Sequence, residues 1–209
     1  MSIKLIVFDL DNTLVDMADV HFEALNMALE DYDPYKVISY ENHLMTYNGL
    51  PTKVKLKMLG FSESLSEIIN KRKQEYTLAA IKKHISPADY KIQVAALQRL
   101  KDEGYILYVA SNSVRATVHA CLGAAGYGGI DAFFSNEDVL KPKPDPSMYV
   151  QSMLAAGATP RETLIVEDSA VGIESAKRSG AYILKVNNPK ELTYDLVKNR
   201  IQEIEACKS

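Results

Sequence analysis

The sequence predicts an α/β fold: a doubly wound parallel sheet, flanked by helices and interrupted by an inserted α-helical cap. Three observations predict it. Short, β-branched apolar runs recur along the chain, helical patterns separate them, and one long stretch near the N-terminus carries helical patterns alone. The first run, Ile3-Lys4-Leu5-Ile6-Val7-Phe8, is nearly all apolar, as a strand buried on both faces requires. Similar runs lie at 105–110, 163–166 and 181–186, and a short fifth strand is expected at Ala132–Phe134. Helical periodicity fills 92–100, 114–122, 148–156 and 170–178.

Residues 16–87 break the alternation. Phe22, Leu25, Met27 and Leu29 share one helical segment, and Leu65, Ile68 and Ile69 begin another that runs to Ile81. Pro34, the Asn48-Gly49-Leu50-Pro51 turn and Gly60 punctuate them. The expected organisation is an α/β catalytic core from residues 1–15 and 88–209, with 16–87 as the cap and Ser86-Pro87 as the point of re-entry. A cap inserted after the first strand is expected over the carboxyl ends of the strands, where open α/β sheets bind ligands.

Composition narrows the function. The 209 residues are 47% apolar and 24% charged, which argues against disorder and for a sizeable core. A net charge of −3 offers no footprint for nucleic acid or for an anionic membrane. Two cysteines make no disulfide framework and suit a reducing cytosol, and Cys207 is misplaced for a prenylation box. The N-terminal apolar run is too short for a signal peptide or a membrane span. A soluble cytoplasmic protein is expected. The sequence does not set its oligomeric state, and a monomer is compatible with it.

Four segments carry candidate chemistry. Asp9-Leu10-Asp11-Asn12-Thr13 follows the first strand directly. Alternation in an extended chain puts Asp9 and Asp11 on one side, where they repel unless a cation or a shared proton relieves them. Oxygen ligands suit Mg²⁺, although an Asp-rich turn pivoting on Asn12 explains the same residues. Glu167-Asp168-Ser169 ends the 163–166 strand, with Ser169 suited to cap the next helix. Ser111-Asn112-Ser113 stands between a strand and a helix whose first amides suit an anion; Ser113 is the expected N-cap, which leaves Ser111 nearer the cleft. Lys141-Pro142-Lys143-Pro144-Asp145-Pro146 is a proline-stiffened loop, in which Lys141 is read as the functional ammonium and Lys143 as a solvated surface charge. Acids, oriented donors and an ammonium together are equipment for phosphoryl transfer.

In this order the segments resemble the four motifs of the haloacid dehalogenase superfamily of phosphotransferases, and the resemblance spans essentially the whole chain. The run Val166–Ala176 strengthens it, and the helical insertion resembles the C1-type cap of subfamily I. The resemblance implies that Asp9 is a nucleophile forming an aspartyl-phosphate and Asp11 the general acid and base. It implies Mg²⁺ on the Asp9 carboxylate, the Asp11 carbonyl and the Asp168 carboxylate, with Glu167 acting indirectly. Ser111, the Asn112 amide and Lys141 would hold the phosphoryl oxygens, with Lys141 also neutralising Asp9.

Within the superfamily, β-phosphoglucomutase-like proteins and sugar-phosphate phosphatases are the nearest resemblance. His21-Phe22, Lys71-Arg72-Lys73, Ser86-Pro87-Ala88-Asp89 and Lys141-Pro142 carry it. Asp11 argues against dehalogenation, which needs neither metal nor a leaving-group proton. Thr13 is the phosphatase-type residue. Near Thr52 the chain lacks the arginine by which a mutase grips a second phosphate, and it has Val114 in place of a lysine. Thr13, His21, Lys53 and Lys73 are therefore expected to bind substrate. The expected activity is Mg²⁺-dependent hydrolysis of a small phosphorylated metabolite, a sugar phosphate in particular. A phosphomutase is the alternative, and a non-catalytic binding protein on the same scaffold is a third reading.

Overall fold

The computed structural model describes residues 2–47 and 50–207. Asn48 and Gly49, half of the turn expected at 48–51, lie outside the described residues. By compactness the chain divides into two units. One comprises the chain up to Asp16 and from Ser86 onward, and the other is Met17–Ile85.

The first unit is built on five parallel strands: β1 (Leu5–Phe8), β2 (Ile106–Ala110), β3 (Ala132–Phe134), β4 (Thr163–Glu167) and β5 (Tyr182–Lys185). Their order across the sheet is β3-β2-β1-β4-β5. The chain therefore steps one way from β1 to β2 and β3, then the other way to β4 and β5. β1 stands at the switch point, where doubly wound sheets open a crevice. Register sharpens this. Phe8 lies level with Val109 of β2 and Val166 of β4, so the residues that follow these three strands leave the sheet side by side.

Parallel strands need helical crossovers. The helices of this unit are α5 (Lys91–Asp102), α6 (Arg115–Ala125), α7 (Ser147–Ala156), α8 (Ala170–Ser179) and α9 (Tyr194–Ala206). The core joins Leu5, Val7, Tyr108 and Ile165 of the sheet to Met148, Tyr149 and Met153 of α7 and Ala176 of α8. Because both faces of β1 are covered, the alternation of polar and apolar residues disappears and every residue from Leu5 to Phe8 is buried.

The second unit is helical: α1 (Ala18–Tyr32), α2 (Tyr40–Asn42), a π-helical turn (His43–Tyr47), α3 (Thr52–Met58) and α4 (Glu63–His84). Leu25, Ala28 and Leu29 of α1 pack with Ile38, Leu56 of α3 and Ile69 of α4. The Asn26 side chain clamps Ile38 by donating to its carbonyl (2.8 Å) and accepting from its N–H (3.0 Å). Of the apolar residues expected to share a face of α4, Ile68 turns outward, because Ile69 takes the buried position.

Candidate active site

Asp9 is the first residue beyond β1, buried, with its N–H donating to the Val166 carbonyl of the neighbouring strand (2.9 Å). The chain then turns sharply. Leu14 and Val15 both donate to the Leu10 carbonyl (3.0 Å each), and Asn12 takes the left-handed conformation with φ of 60°. Asparagine tolerates that region better than most residues, which accounts for Asn12 at this turn.

The lysine that reaches Asp9 is Lys143. Its Nζ donates to Asp9 Oδ1 (2.7 Å) and to Glu167 Oε1 (2.7 Å), and the residue is only 6% exposed. Lys141 is exposed. The expectation that Lys141 neutralises Asp9 is thus corrected, as is the reading of Lys143 as a solvated charge. The cause is Asn112. Its Oδ1 accepts from the Lys143 N–H (2.9 Å) and its Nδ2 donates to the Lys143 carbonyl (3.2 Å). This two-point clamp pulls the loop inward at residue 143 and leaves residue 141 outside.

Glu167, fully buried, anchors the ammonium from the other side. Its Oε1 also accepts from the Tyr149 hydroxyl (2.9 Å). Oε2 accepts from the Asp168 and Ser169 N–H groups (3.0 and 3.1 Å) and the Ser169 hydroxyl (3.1 Å). A carboxylate has about four lone-pair sites, so these donors saturate it. Burial pulls the Lys143 ammonium down, but Asp9, Tyr149 and Glu167 outweigh it and hold its pKa well above the ordinary lysine value. Burial above all, then the charges of Glu167 and Asp11, push the Asp9 carboxyl well up, with Lys143 pulling the other way.

Asp168 completes the acidic group. One carboxylate oxygen each from Asp9, Glu167 and Asp168 lies within 4.8 Å of the others. Burial raises the Asp168 pKa, while Asn12 Nδ2 donates to its Oδ2 (3.0 Å) and Thr13 Oγ1 to its Oδ1 (3.3 Å). Crowded, partly desolvated carboxylates of this kind are a donor set that fits a hard divalent cation. Ser169 caps α8 by accepting from the Gly172 N–H (3.0 Å). Ser113 does not cap α6. Val114 stands at that position, and the Ser113 hydroxyl donates instead to Asp11 Oδ2 (3.1 Å). Ser111 is buried beside it, its Oγ accepting from the Ser113 N–H (3.0 Å).

In the helical unit, Lys73 Nζ and His21 Nδ1 lie 3.3 Å apart, so α1 and α4 bring these two residues together. Lys53 stands elsewhere, exposed and paired with Glu63 (2.6 Å). Lys55 and His43, which the sequence reading passed over, are buried in the same unit. In a Lys-Val-Lys-Leu-Lys run nothing local singles out the middle lysine.

Carboxylates and a buried ammonium gathered at one end of a parallel sheet, with a helical unit spliced in after the first strand, define a class of hydrolytic α/β proteins. The family model for haloacid dehalogenase-like hydrolases matches residues 6–186, and the chain belongs to that family. It is 29% identical over 206 residues to protein CbbY of Rhodobacter capsulatus, covering 92% of this chain and 88% of that protein. It is 25% identical over 213 residues to hexitol phosphatase A of Escherichia coli, covering 100% and 96%. Among solved structures, a β-phosphoglucomutase from Clostridium difficile superposes with a TM-score of 0.78 at 18% identity, covering 98% of this chain and 99% of the other.

No helix among the described residues is long and apolar enough to cross a membrane.

Proposed function

We propose that the protein is a Mg²⁺-dependent phosphatase of a small phosphomonoester, a sugar phosphate being the favoured class, and that it works through an aspartyl-phosphate on Asp9. The observation that carries this reading is the buried Lys143–Asp9 pair (2.7 Å) beside Asp168 at the switch point of the sheet. The names of phosphatase relatives support it.

An Asp9 carboxylate oxygen attacks phosphorus and the ester P–O bond breaks. Asp11 delivers a proton to the departing alcohol oxygen. Asp11 then takes a proton from water, whose oxygen attacks the same phosphorus. The acyl-phosphate P–O bond breaks, releasing phosphate and restoring the Asp9 carboxylate. Lys143 takes the part first assigned to Lys141, orienting Asp9 and neutralising charge on the phosphoryl oxygens. Ser111 and the main-chain N–H of Asn112 are assigned to those oxygens, since the Asn112 side chain is engaged with Lys143. Mg²⁺ held by the carboxylates of Asp9 and Asp168 and the Asp11 carbonyl would neutralise charge and align the reactants. Glu167, saturated by its donors, supports Lys143 rather than binding metal. Thr13 holds Asp168, and His21, Lys53 and Lys73 of the helical unit are assigned to substrate selection.

A phosphate-release screen over phosphorylated metabolites, with Mg²⁺ and with chelator, tests the reading. Chelator-sensitive release of phosphate from a sugar phosphate is expected. Conversion of β-glucose 1-phosphate to glucose 6-phosphate with little free phosphate, given catalytic bisphosphate, would replace it by a phosphomutase.

A further inference from the structure

Ser113 carries a hydroxyl that α6 does not use. The residue stands just before the helix, where serines ordinarily cap, yet Val114 holds the cap position and no side chain bonds from it. The first turn is served from elsewhere, because the Arg115 N–H donates to Glu137 Oε2 (2.6 Å). The Ser113 backbone is fixed on both sides. Its N–H donates to Ser111 Oγ (3.0 Å), and its carbonyl accepts from the Asn136 N–H (3.2 Å). A main chain pinned in this way leaves the hydroxyl one staggered torsion to choose. The rotamer taken lets it donate to Asp11 Oδ2 (3.1 Å), 102 residues away in the chain.

Asp11 needs such a partner. It is half-buried on the turn that follows β1. The last torsion of an aspartate is broad, so the backbone alone does not aim the carboxyl group. Proton delivery requires the reacting oxygen within hydrogen-bond reach of the atom it protonates. Holding one carboxyl oxygen sets where the other points. The direction of the bond has a second effect. A hydroxyl bonds a carboxylate more strongly than a neutral acid. As Asp11 yields its proton, the bond from Ser113 strengthens, and an interaction stronger in the transition state than in the ground state accelerates the step.

We propose that Ser113 is a positioning residue for Asp11. Its hydroxyl holds Oδ2, so that Oδ1 faces the departing alcohol oxygen, and it stabilises the carboxylate left once the proton has gone. The proton passes from Asp11 to the alcohol oxygen as the ester P–O bond breaks, and Ser113 keeps its own. The proposal rests on the phosphatase reading, in which Asp11 is the general acid.

The test compares esters whose leaving groups fall in basicity: phenyl, 4-nitrophenyl and 2,4-dinitrophenyl phosphate, with the full-length protein and Mg²⁺. A phenolate needs the proton to depart, and 2,4-dinitrophenolate does not. Ser113→Ala should lower kcat/KM for phenyl phosphate by about 10-fold or more, and for the dinitrophenyl ester by no more than about twofold. Ser113→Thr keeps the hydroxyl and should stay near wild type on all three. A merely structural role would slow the three esters alike. That result, or wild-type rates in Ser113→Ala, overturns the proposal. With Asp11→Ala already present, Ser113→Ala should cost no more than about twofold further, since nothing is left to aim. Losses that multiply in full overturn it. Crystal structures give a readout apart from turnover: the Asp11 carboxylate should leave its wild-type rotamer in Ser113→Ala, and an unmoved Asp11 overturns the positioning. The two readings fail separately. A steep leaving-group dependence in Asp11→Ala but not in Ser113→Ala removes this proposal and leaves the phosphatase reading standing. No such dependence in Asp11→Ala removes the general acid, and both readings with it.

Discussion

Glu167 lies against the backbone of Gly172, so close that a Cβ built on residue 172 would stand 1.6 Å from Glu167 Oε1. The first turn of α8 therefore has to be bare for the carboxylate that anchors Lys143 to occupy its place. Gly172→Ala should displace Glu167, loosen Lys143 and lower both stability and turnover. Overpacking at a buried polar network is worth about 1–3 kcal/mol or more. Urea denaturation together with a phosphatase assay checks this, and wild-type values for both would refute the steric argument.

The choice between two lysines is directly testable. Lys143→Ala leaves Asp9 and Glu167 buried without their shared cation. Breaking a buried pair costs roughly 3–5 kcal/mol, and kcat should fall by at least about 100-fold. Lys141→Ala should change both by little, within about twofold in kcat, as expected for a solvated side chain. Equal losses in the two variants would return Lys141 to the site.

On the proposed mechanism Asp9→Asn keeps the shape but removes the attacking charge, so kcat should fall by about 1,000-fold or more. Binding of beryllofluoride to wild type but not to Asp9→Asn, followed by fluorine NMR, checks the site of attack. Full multiple-turnover activity in Asp9→Asn would end the aspartyl-phosphate mechanism.

For the proposed metal site, Asp168→Ala would remove an anionic ligand from a hard cation. Calorimetry should show Mg²⁺ affinity lowered by about 10-fold or more, with activity falling in parallel. Wild type should be silent in excess chelator and recover with Mg²⁺. Undiminished Mg²⁺ binding by the variant would place the ion elsewhere.

His43 makes stability depend on pH. Its folded pKa, about 4, lies below the ordinary histidine value of 6.5. The unfolded chain therefore takes up a proton between those limits that the folded chain refuses. The contribution is fully present above pH 6.5 and is lost as pH falls toward 4. Between pH 7 and 5, wild type should lose about 1–2 kcal/mol that His43→Phe does not. Parallel curves for the two proteins would show that the ring is not held neutral.

The sequence by itself determined the strands, the helices between them and the acids at the strand ends. Those signals are local. A strand buried on both faces must read as an unbroken apolar run, and Asp9, Ser111 and Glu167-Asp168 are written next to such runs. The tertiary structure decided what lies between segments distant in the chain. Lys141 and Lys143 are the same residue type in the same proline-rich loop, and only the clamp from Asn112, 31 residues away, turns one of them inward. Ser113 fits an N-cap by composition, yet Asp11 across the site takes its hydroxyl. Lys55 reads as one lysine of three until α3 packs beside α1 and α4 and buries it with His43. Local pattern sets which way a backbone runs. Partners, burial and charge belong to the packed molecule, because they depend on side chains that the sequence leaves far apart.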